Sequence, residues 1–221
     1  CDVVVQAHGD DIALPGRMRE LYAAMVEHEA DFAASLNRSI DEHGEAIVDA
    51  VESAHPWSGA VRSVTFEEAV ERPSWAIGAV EAWRVSALRR WRPLRAHHAP
   101  IAHDRIVLMR AALVGRAVLL EKELVERRLH GGNWRDRLVD DSSALRRKHG
   151  WALSRTIIYD TVLRDIDDAE REGLCTSHDA AAARALTVAQ RDRAIGVLRT
   201  AHGELLALGE QLVWETDDPD D

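Results

Sequence analysis

Between Pro100 and Leu129 the apolar residues fall in two rows at helical spacing. Ile106, Met109, Leu113, Ala117, Leu120 and Leu124 make one row; Val107, Val114, Val118, Val125 and Leu129 make the other. A segment that is apolar on two sides needs neighbours on both. The spacing therefore predicts a central helix over 100–129, opened by Pro100 and stopped by Gly131-Gly132. Upstream, Met18, Leu21, Met25, Phe32, Leu36, Ile40, Ile47 and Val51 step by threes and fours, which predicts one long helix over 17–54 with a kink at Gly44. Ala76, Val80, Trp83, Ala87 and Trp91 line a further helix that follows Ser74.

Downstream, Trp151, Ile158, Val162, Ile166 and Ala169 predict a helix from Asp141 or Ser142 to about Glu172, closed by Gly173. Ser177 and Thr187 each read as an N-cap. Ala194, Leu198, Ala201, Leu205, Leu208 and Leu212 form a narrow seam suited to a coiled-coil-like contact, inside the chain or with a second copy. These patterns predict an all-α fold. The expected architecture is a bundle of about six to seven helices, with one domain over 1–214 and an acidic, disordered tail over 215–221.

Composition adds bounds. The 221 residues are 46% hydrophobic and 30% charged, enough to bury a core without covalent staples. Two cysteines, Cys1 and Cys175, make no disulfide framework and point to a reducing, cytoplasmic setting. The absence of a start methionine reads as a fragment or processed product, with a lipid-modified Cys1 as the second reading. The longest apolar run carries Arg110 and Arg116 and is too short to span a bilayer.

Charge is unevenly spread. Residues 83–155 hold 17 bases against 7 acids, while 1–82 hold 16 acids against 5 bases and 156–221 hold 15 acids against 6 bases. A basic middle between acidic ends reads either as internal complementarity or as an anion-binding face. Arg84, Arg89, Arg90, Arg92, Arg95, Arg146, Arg147 and Lys148 are the expected contact residues for a protein or anionic partner. The net charge of −10 opposes strong non-specific binding to nucleic acid, which stays as an alternative.

The densest titratable cluster is His97, His98, His103 and Asp104, residue types that ligate zinc or iron. If 100–129 is one helix, His130 lies about 40 Å from His103 at 1.5 Å per residue and cannot share its site. A second candidate is Ala7-His8-Gly9-Asp10-Asp11. This stretch resembles the Ala-His-Pro-Asp-Asp motif of zinc-dependent N-acetylglucosaminyl deacetylases of the LmbE-like family. The resemblance implies zinc on His8 and an aspartate, an aspartate acting as base, and a later histidine ligand, for which His103 is the candidate. Gly9 replaces the family's proline and Ile12 its following glutamate. The family also needs alternating strands and helices, which a helical chain does not supply. The leading expectation is therefore a non-catalytic binding or regulatory helical-bundle protein that engages a partner, or a second copy, through its arginine-rich middle. The alternatives are a metal-dependent helical-bundle enzyme using His97, His98 or His103, and a nucleic-acid binder.

Overall fold

The computed structural model describes residues 1–47, 59–71, 77–94, 103–130 and 143–208. It overturns the all-α expectation. A seven-stranded mixed sheet lies at the centre of the described residues, and helices pack on it. In chain order the elements are β1 (Val3–Val5), β2 (Ile12–Ala13), α1 (Arg17–Glu27), β3 (Phe32–Ile40), β4 (Ala46–Ile47), β5 (Val61–Ser63) and α2 (Phe66–Glu71). A 3-10 turn (Gly78–Val80) then leads into β6 (Glu81–Arg84), α3 (Val85–Arg90), α4 (His103–Leu113), β7 (Ala117–Arg128), α5 (Ser143–Arg171) and α6 (Ser177–Ala207).

The strand order is β1-β6-β3-β7-β2, with β4 added to β3 and β5 to β7. Among the described residues only β3 and β7 pair in parallel; every other pairing is antiparallel. β1, β3 and β7 thus point the same way. Their C-terminal ends, and the start of β6, share one edge of the sheet.

The two longest predicted helices fail for different physical reasons. β3 is flanked on both sides, and every residue in it except Arg38 is buried, so the alternation that marks a half-exposed strand is missing. The expected helix ends instead at Glu27. Glu29 adopts a left-handed conformation (φ 49°) and the chain turns into the sheet. Met18, read as a core residue, is 70% exposed, whereas Leu21 and Met25 are buried.

β7 is broken differently. Leu120 pairs with Ser35 but Glu123 with Leu36, and Val125 with Asn37, so β7 carries extra bulged residues opposite β3. The bulges stretch the apolar spacing from two to four between Leu120 and Leu124, which imitates a helical row. Helix α4 itself ends at Leu113. Gly115 (φ 69°) turns the chain, and its Cβ-free backbone suits that left-handed position. The segment 100–129 is therefore a buried helix followed by a buried strand, not one central rod. The expected helix through Trp83 likewise divides into β6 and α3.

The core joins both layers. Phe32, Leu36, Val80, Ile106, Met109, Leu119, Val125, Ile158, Val162 and Ile166 belong to one buried cluster; Leu21, Met25, Val118 and Leu124 belong to a second. Fully burying side chains of this size contributes roughly 1.5–3 kcal/mol each. Helix α4 is buried from Arg105 to Leu113, with α2, α5 and the sheet around it.

α5 and α6 form a long hairpin. Gly173 (φ 69°) ends the first helix, and Thr176 caps the second by accepting the Asp179 N–H. Thr187 is not a cap: it is buried mid-helix and its hydroxyl donates to the Ala183 carbonyl. Of the predicted seam, Ala194, Ala201 and Leu205 are buried within this chain, while Leu208 is 68% exposed and Leu212 lies outside the described residues. No helix among the described residues is long and apolar enough to cross a membrane.

Candidate metal centre

At the sheet edge where β1 and β7 end and β6 begins, residues 6–11 leave β1 and cross to β2 on the far side of β7. Three side chains of this crossing, His8, Asp10 and Asp11, offer ligand atoms that all lie within 4.8 Å of one another. His8 Nδ1 is 3.5 Å from Asp11 Oδ2. His8 and Asp10 are exposed, whereas the Asp11 side chain is only 7% exposed.

The end of β7 holds this loop in place. The Arg128 backbone N–H donates to Asp11 Oδ1 (2.9 Å), and the Arg128 guanidinium donates to the carbonyls of Asp10 (3.2 Å), Asp41 and Glu42 (3.0 Å each). Two residues further on, His130 Nε2 lies 3.2 Å from Asp10 Oδ2.

Behind the loop sits Arg17, 4% exposed. Its Nη2 donates to the carbonyls of Gln6 and Ala79 at 2.5 Å each, and so ties the end of β1 to the 3-10 turn. Burial holds its pKa below the ordinary guanidinium value, with Asp11 pulling the other way. Gly78 of that turn sits close to the loop: a Cβ there would come within 2.5 Å of the end of the Gln6 side chain and 3.2 Å of His8 Nε2, so both would have to shift.

Across Gly78 lies Asp104, in the first turn of α4. Its Oδ2 accepts the Gly78 N–H at 3.0 Å. Beneath them Glu81 is fully buried. Its Oε2 accepts the Trp83 indole N–H (3.1 Å), and its Oε1 has no hydrogen-bond partner among the described residues. Burial, reinforced by Asp104, pushes Glu81 well above the usual carboxylate range, against a smaller pull from Trp83.

The predicted cluster is only partly described. His97 and His98 lie outside the described residues, His103 is exposed at the start of α4, and neither His103 nor Asp104 belongs to the His8 group. His130, excluded above on the length of a supposed helix, reaches Asp10 because 117–128 is a strand whose end meets the crossing loop. Gly115 was the available signal, since a glycine inside an otherwise helical run marks a break.

Several arginines of the middle pair with acids of this chain, and of them Arg110 is buried. Arg84, Arg90 and Arg116 converge on Asp31, which is 4% exposed, at 4.0, 3.0 and 2.9 Å. Arg110 makes two bonds to Asp165 (2.7 and 2.9 Å) and lies over the Trp91 ring at 5.5 Å. Arg92 pairs with Asp168 at 2.6 Å. Arg89, Arg146 and Lys148 are exposed, Arg147 is half-buried, and Arg95 lies outside the described residues. The expected non-catalytic helical-bundle protein, binding through 83–155, is overturned along with its platform. The helical bundle assumed for the metal-dependent enzyme falls with it.

No known family profile matches the chain, and no curated protein matches it by sequence. Solved structures do match by shape. TarS 1–349 of S. aureus in complex with UDP overlays with a TM-score of 0.43 at 14% identity, covering 98% of this chain and 70% of that one. TarS 1–349 in complex with UDP-GlcNAc gives 0.44 at 14% identity, covering 98% of this chain and 71% of that one. A longer TarS structure gives 0.41 at 12% identity, covering 92% of this chain and 40% of that one. Scores below 0.5 at such identities carry no conclusion about function.

Proposed function

We propose that this chain carries a divalent-cation site of a group-transferring enzyme whose donor is a diphosphate compound. The observation that carries the reading is the approach of His8, Asp10 and Asp11 to within 4.8 Å at the end of β1. The two carboxylates suit Mn2+ or Mg2+, the imidazole argues for Mn2+ over the harder Mg2+, and three side chains leave coordination positions for phosphate oxygens. A cation held there neutralises the charge of a departing diphosphate. The position agrees with the rule that ligands bind beyond the C-terminal ends of like-directed strands.

This chain's own residues supply the rest. Asp11 is fixed by the Arg128 amide, and Asp10 meets His130. Asp104, across Gly78 from His8, is the carboxylate placed to take a proton from an attacking hydroxyl. Burial, reinforced by Asp104, holds Glu81 beneath it well above the usual carboxylate range. The free thiols of Cys1 and Cys175 suit the cytoplasmic setting expected above.

UDP-GlcNAc carries the required diphosphate and is the first donor to test. Expected results are stoichiometric Mn2+ binding to the purified chain, and UDP release from UDP-GlcNAc that needs Mn2+ and is lost in Asp10→Asn and Asp104→Asn. Failure of the wild-type chain to bind Mn2+ or Mg2+ at millimolar concentration overturns the reading.

A further inference from the structure

We infer that the outer face of α6 is a self-association surface, on which the same face of a second copy of this chain packs antiparallel across a two-fold axis beside Gly196. One side of α6 is already taken: Ala183, Ala194, Ala201 and Leu205 are buried, and α5 is the helix's main neighbour. The opposite side carries Ala182, Ala185, Ala189, Gly196, Gly203 and Leu206, and all six are exposed, Leu206 by 55%. Asp192 and Arg199 fill the two gaps in that series, so its steps alternate between three and four over 182–206. That is the spacing of a seam between two helices. A helix apolar on both sides calls for a second neighbour.

The two glycines mark the same face independently. Glycine inside a helix costs stability relative to alanine. At Gly196 and Gly203 an added Cβ would meet no atom within 4 Å, so packing inside the described fold does not ask for a bare backbone there. A bare backbone on an exposed face lets another chain approach closely. Charge then selects the occupant. Arg184 and Arg191 are paired with Asp167, Glu170 and Asp160 of α5. Asp192 and Arg199 are exposed and take no ion pair among the described residues. Asp192 lies four residues before Gly196 and Arg199 three after it. A two-fold axis between Ile195 and Gly196 therefore sets Asp192 of each copy against Arg199 of the other. The same operation lays Leu206 of each copy on Ala185 of the other. A parallel pairing would instead oppose like charges, which is unfavourable. A contact of this kind uses the same patch on both copies and closes as a dimer.

The test is sedimentation equilibrium on the full chain from micromolar to millimolar concentration, with circular dichroism to confirm folding. The wild type is expected to dimerise. Asp192→Arg and Arg199→Asp each oppose like charges and are expected to weaken the dimer by at least about tenfold, whereas the double variant exchanges the two charges and is expected to restore it. Gly196→Gln favours the helix itself and is expected to abolish the dimer, because its side chain occupies the crossing. A wild-type chain that stays monomeric overturns the proposal. So does a dimer indifferent to either charge reversal or to Gly196→Gln, and so does a double variant that fails to recover.

Discussion

Asp31 and the Asp10–Asp11 pair are acidic centres at two sites of one molecule, and they are treated in opposite ways. Asp31 is buried and answered by three guanidinium groups from β6, α3 and the turn after α4. Asp10 and Asp11 sit together at the sheet edge, where their contacts are two imidazoles and a backbone amide. The first arrangement fixes structure, because its charge is saturated by side chains that also pin neighbouring elements. The second gathers two carboxylates at an exposed edge, and carboxylate oxygens are the ligands a hard cation takes. The contrast separates carboxylates that hold the fold from carboxylates free to do chemistry.

The largest effect should come from the buried side. Arg110→Leu would strand Asp165, which burial already pushes upward against the pull of Arg110, and is expected to cost about 3–5 kcal/mol in urea unfolding. A loss under about 1 kcal/mol would show that this pair is not structural. Asp31→Asn leaves three cations facing a neutral amide and is expected to cost about 3 kcal/mol by the same measurement.

Gly78→Ala sharpens the comparison from the other side. The new methyl meets the movable end of the Gln6 side chain at 2.5 Å and His8 Nε2 at 3.2 Å, so stability should fall by no more than about 1 kcal/mol while Mn2+ affinity falls. An unchanged affinity would disconnect the turn from the cation position.

Glu81 makes a pH prediction. Its folded pKa is raised, so the folded state keeps a proton that the unfolded chain releases. Stability is therefore unaffected by this group below the ordinary carboxylate range. It is lost as pH rises above that range, by up to about 1.4 kcal/mol per pH unit until the folded group ionises. Glu81→Gln should flatten that decline above the ordinary carboxylate range in urea titrations. A parallel decline in the variant would contradict the assignment.

The smallest effect is expected on the exposed basic surface. Arg89→Ala and Lys148→Ala should each change stability by less than about 0.5 kcal/mol and leave Mn2+ binding untouched.

What the sequence revealed depended on whether a pattern was local. Ile158, Val162, Ile166 and Ala169 repeat on one face of a single helix, and that face is buried as the spacing says. β3 and β7 could not be read in this way. One is buried on both faces, and the other is bulged, so the period that identifies a strand is absent from both. The same distinction governs the site. His8, Asp10 and Asp11 are neighbours in the chain, and their resemblance to a zinc-deacetylase motif raised metal chemistry there. His130, Gly78 and Gln6 join them only through the strand order, which a misread β7 conceals. The basic middle was visible as a charge count, but its partners Asp31, Asp165 and Asp168 lie far away in sequence.

The crossing made by residues 6–11 has a mechanical consequence. It ties β1, at one end of the strand order, to β2, at the other, through a handful of residues clamped by Arg17 and Arg128. Two short border strands, each too small to persist alone, thereby share a fastening. Their amide protons should exchange with solvent at a common rate, and tightening the clasp at Asp11 should slow both margins together.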